Sequence, residues 1–390
     1  MRTVRKRFHR GVLALAAMAA AAGLATSAAL PAQADPPVPP KPADVVGVGA
    51  VTTQYLYDQF SHRYNASHPS PKLYSWDATG SSPIATKAGC AAIVRPDGSS
   101  AGIVALLANA TVSGDFCIDY ARSSQGPTSS GPQCVSGGIC FKKMAGDAVT
   151  YATRDAVSGG TNAPPTLTLA QLHNIYACIY TNWIQVGGPN APIHPFIPES
   201  SSGTGAFFLS AIGVTAPGPC VSSVGNTLQE NQGVAPQLND PDAVVPYSVP
   251  DYIAQVYHSA PCTVAGCGYP LPPTCTPSGQ ENLFGCDDHG VLGINRVAGT
   301  SPVTPWPPPA PPVPPAINAA VKLNSGFAAA FQHYDYTVFR WAPTLTNIPA
   351  YLEPFFNPAS ASPPGWTCQA AGRKIARNYG YLPITALCGT

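Results

Sequence analysis

Apolar positions along the chain fall in short runs, and three of these runs follow a small, hydroxyl-rich stretch. Thr52-Thr53-Gln54 precedes Tyr55, Leu56, Phe60 and Tyr64, and Gly98-Ser99-Ser100-Ala101-Gly102 precedes Ile103, Val104, Leu106 and Leu107. Ser200-Ser201-Ser202-Gly203-Thr204-Gly205 precedes Phe207, Phe208, Ala211 and Ile212. Returns after three and four residues predict helices entered from polar loops. The first turn of a helix leaves backbone N–H groups unpartnered, its dipole favours negative charge, and glycine lets the backbone approach a ligand closely. One such start is an ordinary capped helix; three in one chain predict a shared polar site.

Between these helices the pattern predicts strands. Residues 45–49 read as a buried strand and 90–94 as a second short apolar run. Residues 116–121 read as a strand that delivers Arg122-Ser123-Ser124 at its carboxyl end, where ligands gather in open α/β sheets. Residues 147–153 are strand-like and lead out of a first lobe. In 167–176, Leu169, Leu172, Ile175 and Tyr176 share a helical face behind a Thr168 cap, and His173, off that stripe, reads as a surface histidine. Residues 244–248 read as a strand end, 252–257 as a short helix, 291–297 as a strand closed by the turn 298–300, and 336–341 as a strand returning to the first lobe.

Composition changes this picture at the N-terminus. Arg2, Arg5, Lys6, Arg7 and Arg10 precede an Ala/Leu-rich run to about Leu30, and Ala32-Gln33-Ala34 fits a small-residue cleavage site. A signal peptide, 1–34, is expected, and with it a secreted, extracellular product. No Cys follows the cut to carry a lipid and no apolar tail closes the chain, so no stable membrane anchor is expected. Removing the five basic residues of the leader leaves 15 Lys and Arg against 19 Asp and Glu, a formal charge of −4. That balance disfavours nucleic acid and anionic membranes as partners.

Twelve Cys in a secreted chain predict disulfides. Grouping suggests Cys134 with Cys140, Cys178 with Cys220, Cys262 with Cys267, Cys275 with Cys286, Cys368 with Cys388, and Cys90 with Cys117. No CxxC pair is present and His289 alone lies near a Cys cluster, so no metal site is expected. Residues 35–44 read as an extended Pro-rich linker, 261–288 as a disulfide-rich insertion, and 301–316 as a stiff Pro-rich connector.

The order of these motifs resembles the phosphate-binding proteins of bacterial phosphate ABC transporters, periplasmic binding proteins of type II fold. The stretches that carry the resemblance are 47–53, Gly98-Ser99-Ser100-Ala101-Gly102, Ile118-Asp119-Tyr120-Ala121-Arg122-Ser123-Ser124 and Ser202-Gly203-Thr204. Residues 167–183 look like the family's helix-and-Trp segment and 292–303 like a late strand and turn. The resemblance implies an α/β fold of two lobes, each a mixed sheet flanked by helices, joined by two crossing strands near Tyr151 and Tyr336. Lobe 1 would take 45–150 and 336–390, and lobe 2 would take 151–335. It further implies a monomeric solute-binding protein without bond chemistry, cofactor or metal. Phosphate or a similar small oxyanion would lie in the cleft, and an ABC permease would be the membrane partner. Carried over residue by residue, Thr52 or Thr53, Ser99, Ser202, Gly203 and Thr204 would donate to the ligand, with Ser100 and Ser124 beside them.

Two positions depart from the family's pattern. Pro198 stands where the family has an Arg, and Ser124 where it has an Asp that accepts from protonated phosphate. The first removes a charge-assisted donor and the second an acceptor that distinguishes phosphate from sulfate. Arg122 either supplies the missing charge or is a solvated arginine at a strand end. The same departures motivate an alternative, an extracellular interaction or scaffold protein that has kept two lobes and lost its ligand. A third reading takes 98–102 as G-x-S-x-G, with Ser100 as a hydrolase nucleophile and Asp287 or Asp288 and His289 downstream. Only about 60 mature residues precede the motif, too few for the strands and oxyanion loop that such a fold needs first.

Overall fold

The computed structural model describes residues 35–36, 38–127, 134, 138–258, 289–310, 320–340 and 348–390. The expected signal peptide, the insertion 261–288 with its two disulfides, most of the Pro-rich connector and Trp341 lie outside the described residues.

Eight strands form one mixed sheet among the described residues. They are β1 (Val45–Gly49), β2 (Leu73–Ser75), β3 (Tyr120–Ser123), β4 (Ile139–Arg154), β5 (His194–Pro195), β6 (Ala243–Ser248), β7 (Leu292–Ile294) and β8 (Gln332–Arg340). Their order is β2-β1-β3-β8-β4-β6-β5, with β7 also on β4. The first three are parallel, and β8 and β4 run antiparallel to their neighbours. Every residue of β1 is buried, as a central parallel strand covered on both faces requires. Alternation divides it between two cores: Val45 faces one, and Val46 and Val48 face the other.

Helix α1 (Gln54–Asn65) buries Tyr55, Leu56, Phe60 and Tyr64 against the first face, beside Phe355 and Phe356 of α6 (Glu353–Phe356) and Ile375 and Ala376 of α7 (Ala370–Asn378). Helix α2 (Ser99–Leu107) places Leu106 on the opposite face. A third core lies beyond the middle of β4. It gathers Trp183 and Phe331 with side chains of α3 (Leu169–Tyr176), α4 (Gly203–Ala211) and α5 (Val249–Ile253). Sixteen residues of strand span about 50 Å, enough to serve both sides. Ala145 belongs to the core under α1 and Ala148 to the third. β8 accompanies it, with Phe331 just before its start in the third core and Val338 in the core that holds Leu106 of α2.

The local signals at α3 work as the sequence predicts. Thr168 Oγ1 accepts from Gln171 N at 3.2 Å and Gln171 Oε1 from Thr168 N at 2.8 Å, a reciprocal cap. Four of the expected disulfides are formed: Cys90–Cys117, Cys134–Cys140, Cys178–Cys220 and Cys368–Cys388.

Three expectations need correction. The strand expected at 116–121 is split: Phe116 ends a short hairpin strand, Asp115–Phe116, and the main-sheet strand begins at Tyr120, after Asp119 has turned its carboxylate onto the Val46 N–H and Lys87 Nζ, each at 2.8 Å. His173 is half-buried, its Nδ1 2.9 Å from the Ile212 carbonyl. The leader is docked through Asp35 and Pro42. The Asp35 carboxylate receives Arg95 Nη1 at 2.9 Å and Nη2 at 2.6 Å, and Lys87 donates to the Pro42 carbonyl at 2.9 Å. Composition suggested an extended segment, but a bidentate buried ion pair ties it down.

Candidate functional site

The three hydroxyl-rich helix starts meet. At the α1 entry, Thr52 Oγ1 lies 2.5 Å from Ser124 Oγ, and the Thr52 carbonyl accepts from Tyr381 OH at 2.6 Å. At the α2 entry, Ser99 Oγ accepts from the Ser124 N–H at 3.0 Å. At the α4 entry, Ser202 Oγ caps the helix by accepting from Gly205 N at 2.9 Å. The α2 and α4 starts touch: Ser100 N–H donates to the Ser201 carbonyl at 3.2 Å. A methyl group on Gly203 would collide with Ser99 Oγ and sit 2.8 Å from Gln125 N. Gly98, at φ +88°, allows the same close approach from the other side, 2.6 Å from its Cβ position to the Ser201 carbonyl.

Thr52, Thr53, Ser99, Ser124, Ser202, Gly203 and Thr204 are therefore buried in one region. Thr53 caps α1 by position but not by its side chain, and its buried Oγ1 has no hydrogen-bond partner. Ser100 lies on the rim, with Oγ 3.4 Å from Gln125 Oε1. His289 instead places Nδ1 3.1 Å from the Leu292 carbonyl and packs its ring on Tyr252. No nucleophile and base pair forms between Ser100 and His289.

Arg122 takes neither of the roles expected for it. It is fully buried and commits four N–H donors to the protein: Nε to the Ala50 carbonyl at 3.1 Å, Nη1 to Ser75 Oγ and to the Trp76 carbonyl at 2.8 Å, and Nη2 to the Gly49 carbonyl at 3.1 Å. Its charge also acts on the buried carboxyls of Asp58 and Asp77. This arginine braces the carboxyl ends of β1 and β2; it is not a free donor aimed into the cleft.

Carboxyl groups, which sequence reasoning missed, surround the cradle. Burial pushes Glu230 up to about 8, against the lowering effect of its own N–H and of the Ser202 and Thr204 hydroxyls beside it. Burial also raises Glu199 to about 7, opposed by the Ser201 N–H that donates to its Oε2 at 2.6 Å. Asp97 rises to about 6 through burial, opposed by Gln229 Nε2 at 2.9 Å. At neutral pH the first two hold protons for much of the time, so they can donate as well as accept. On the crossing strands, burial raises Asp147 to about 7 and Asp335 well above the carboxylate range, and lowers His333 to about 4. A signal for part of this was present: Glu199 directly precedes the Ser200 loop.

The family model of the PBP superfamily domain matches residues 57–245, from within α1 to within β6, and includes the α2 and α4 starts. No curated protein matches the sequence. Among solved structures, the chain is similar to a candidate phosphate ABC transporter substrate-binding protein with bound phosphate from Clostridium perfringens. The TM-score is 0.51 at 15% identity, over 87% of this chain and 99% of that one. An ABC-type phosphate transport receptor from Vibrio cholerae aligns over the same shares at 16% identity with a TM-score of 0.48. At this identity the likeness is one of fold. The chain has the two-lobed mixed α/β fold of type II periplasmic binding proteins, as the order of its motifs implied.

Proposed function

We propose that the chain is a secreted solute-binding protein that closes its two lobes over phosphate or a similar small oxyanion. The observation that carries this reading is the meeting of the α1, α2 and α4 starts at Ser124, Ser99 and Gly203. Helix starts present unpartnered N–H groups and positive dipole ends, and here three of them converge with hydroxyl donors between them. The similar Clostridium perfringens structure holds phosphate, which supports the same ligand class.

Because Arg122 is committed elsewhere and Pro198 replaces the family's arginine, donors in this cradle are dipolar rather than cationic. Protonated Glu230 and Glu199 extend the set. They donate to an unprotonated oxygen of the anion, and when ionised they accept from a protonated one. Such a site favours a singly charged, protonated oxyanion over a dianion. Transfer to an ABC permease and a monomeric state complete the proposal. No helix among the described residues is long and apolar enough to cross a membrane.

Calorimetric titration of ligand-stripped protein with phosphate and then sulfate, at fixed pH and salt, tests this reading. Saturable phosphate binding that Thr204→Val weakens at least tenfold is the expected result. No heat and no thermal stabilisation with either anion would overturn it and leave the scaffold alternative.

A further inference from the structure

A second cluster of chemistry-bearing residues lies where the two crossing strands pair. Asp147 on β4 stands directly opposite His333 on β8, and Asp335 follows two residues later on β8, before a register shift at Asp335/Tyr336. Opposed residues, and residues two apart on one strand, share a face of the sheet, so all three side chains point to the same side. One ligand atom from each lies within 4.8 Å of the others, and His333 Nε2 is 3.3 Å from Asp147 Oδ2.

The three groups meet chiefly one another. The Asp147 and Asp335 side chains are fully buried and that of His333 is 7% exposed. Asp147 Oδ1 accepts from the Ala148 N–H at 2.5 Å. No well-aligned hydrogen bond reaches its Oδ2, either oxygen of Asp335 or either ring nitrogen of His333; these atoms face one another, with the Ser124 hydroxyl beside Asp335. Among the described residues no lysine or arginine pairs with either carboxylate. Buried carboxyl groups either hold a proton or are matched by a cation, a basic side chain or a metal ion.

We infer that Asp147, His333 and Asp335 form a site for a divalent transition-metal ion at the hinge between the lobes. One imidazole nitrogen and two carboxylate oxygens suit zinc, manganese, iron or cobalt. The nitrogen ligand disfavours calcium and magnesium, which prefer oxygen. Bonds of about 2.0–2.2 Å require the three groups to close by roughly an ångström. That movement is small for side chains on two adjoining strands. Ser124, whose hydroxyl meets Thr52 in the anion cradle, also faces Asp335, and His333 packs on Phe207 of α4 at 4.2 Å. The ion therefore lies beside the cradle and against the helix that opens with Gly203. The site rests on its own three residues and does not depend on the oxyanion reading.

The test is calorimetric titration of the EDTA-treated full chain with zinc chloride in phosphate-free buffer, with circular dichroism to confirm folding. One tight site, micromolar or better, is expected in the wild type. It should persist in His194→Ala, which disables the exposed His194, Asp240 and Asp242 cluster, and weaken at least a hundredfold in His333→Ala. Asp335→Asn keeps side-chain volume while removing a ligand charge, and should weaken binding to the same degree in a folded protein. Cobalt supplies a second readout, a visible absorption band absent in His333→Ala. Failure of the wild type to bind zinc, binding unchanged in both hinge variants, or loss only in His194→Ala would each overturn the assignment.

Discussion

The Ser100 N–H donates to the Ser201 carbonyl at 3.2 Å. This bond joins the first turn of α2, which packs on β1 and β3, to the loop that opens α4, which packs in the third core. Both partners are backbone groups at helix entries, so α2 and α4 are joined at the rim of the cradle.

The closeness of Gly203 to Ser99 makes a steric prediction. Gly203→Ala inserts a methyl group where Ser99 Oγ already lies, so the lobes must part by a few tenths of an ångström or more. Phosphate affinity should fall at least tenfold, about 1.4 kcal/mol, while the thermal midpoint without ligand changes little. Scattering should show a larger radius of gyration for the variant in phosphate. Unchanged affinity would separate this contact from ligand capture.

Arg122 separates bracing from ligand binding. Arg122→Met removes four hydrogen bonds, leaves the carbonyls of Gly49, Ala50 and Trp76 without their donor, and takes away the positive charge that acts on the buried carboxyls of Asp58 and Asp77. Removing one partner of such a buried network costs about 3–5 kcal/mol. The urea midpoint should drop accordingly. A variant of unchanged stability that lost anion binding would return Arg122 to the cleft.

The carboxyls at the α4 start make stability depend on pH. Glu199 and Glu230 hold protons up to about 7 and 8, above the ordinary 4.5, so the folded chain binds more protons than the unfolded one between these values. Their contribution is complete below about pH 4.5 and is lost as pH rises through 7 and 8. The thermal midpoint should decline from pH 5 to pH 8, and Glu230→Gln should flatten the decline. A profile identical in the variant would show that Glu230 is ionised in the folded state.

The docked leader is tested by Asp35→Ala. It strands the Arg95 guanidinium, 3% exposed, without its carboxylate, and should cost about 3 kcal/mol in urea unfolding. An effect below about 0.5 kcal/mol would make the segment a mere appendage.

Local grammar made the helices legible. Hydroxyl residues ahead of apolar returns placed the starts of α1, α2 and α4, and Thr168 with Gln171 marked α3, because capping involves groups only a few residues apart. The first half of β4 was less legible. Ile139–Met144 carries Lys142 and Lys143 and lacks a clean apolar alternation; β8 pairing holds it in the sheet. Asp119 was hidden in an apolar run for the opposite reason, since its charge is matched by Lys87, 32 residues earlier.

The sequence by itself determined that α1 to α4 are helical and that they enter from hydroxyl-bearing loops, and it suggested the four disulfides between near neighbours in the chain. Each depends on short spacings that fold the same way in many contexts. Only the tertiary structure decided that Arg122 faces carbonyls, that Glu199 and Glu230 border the cradle, and that Asp147 meets His333 and Asp335. Burial and pairing of charges depend on strands brought together from far apart in the chain, and no local pattern encodes the dielectric that results.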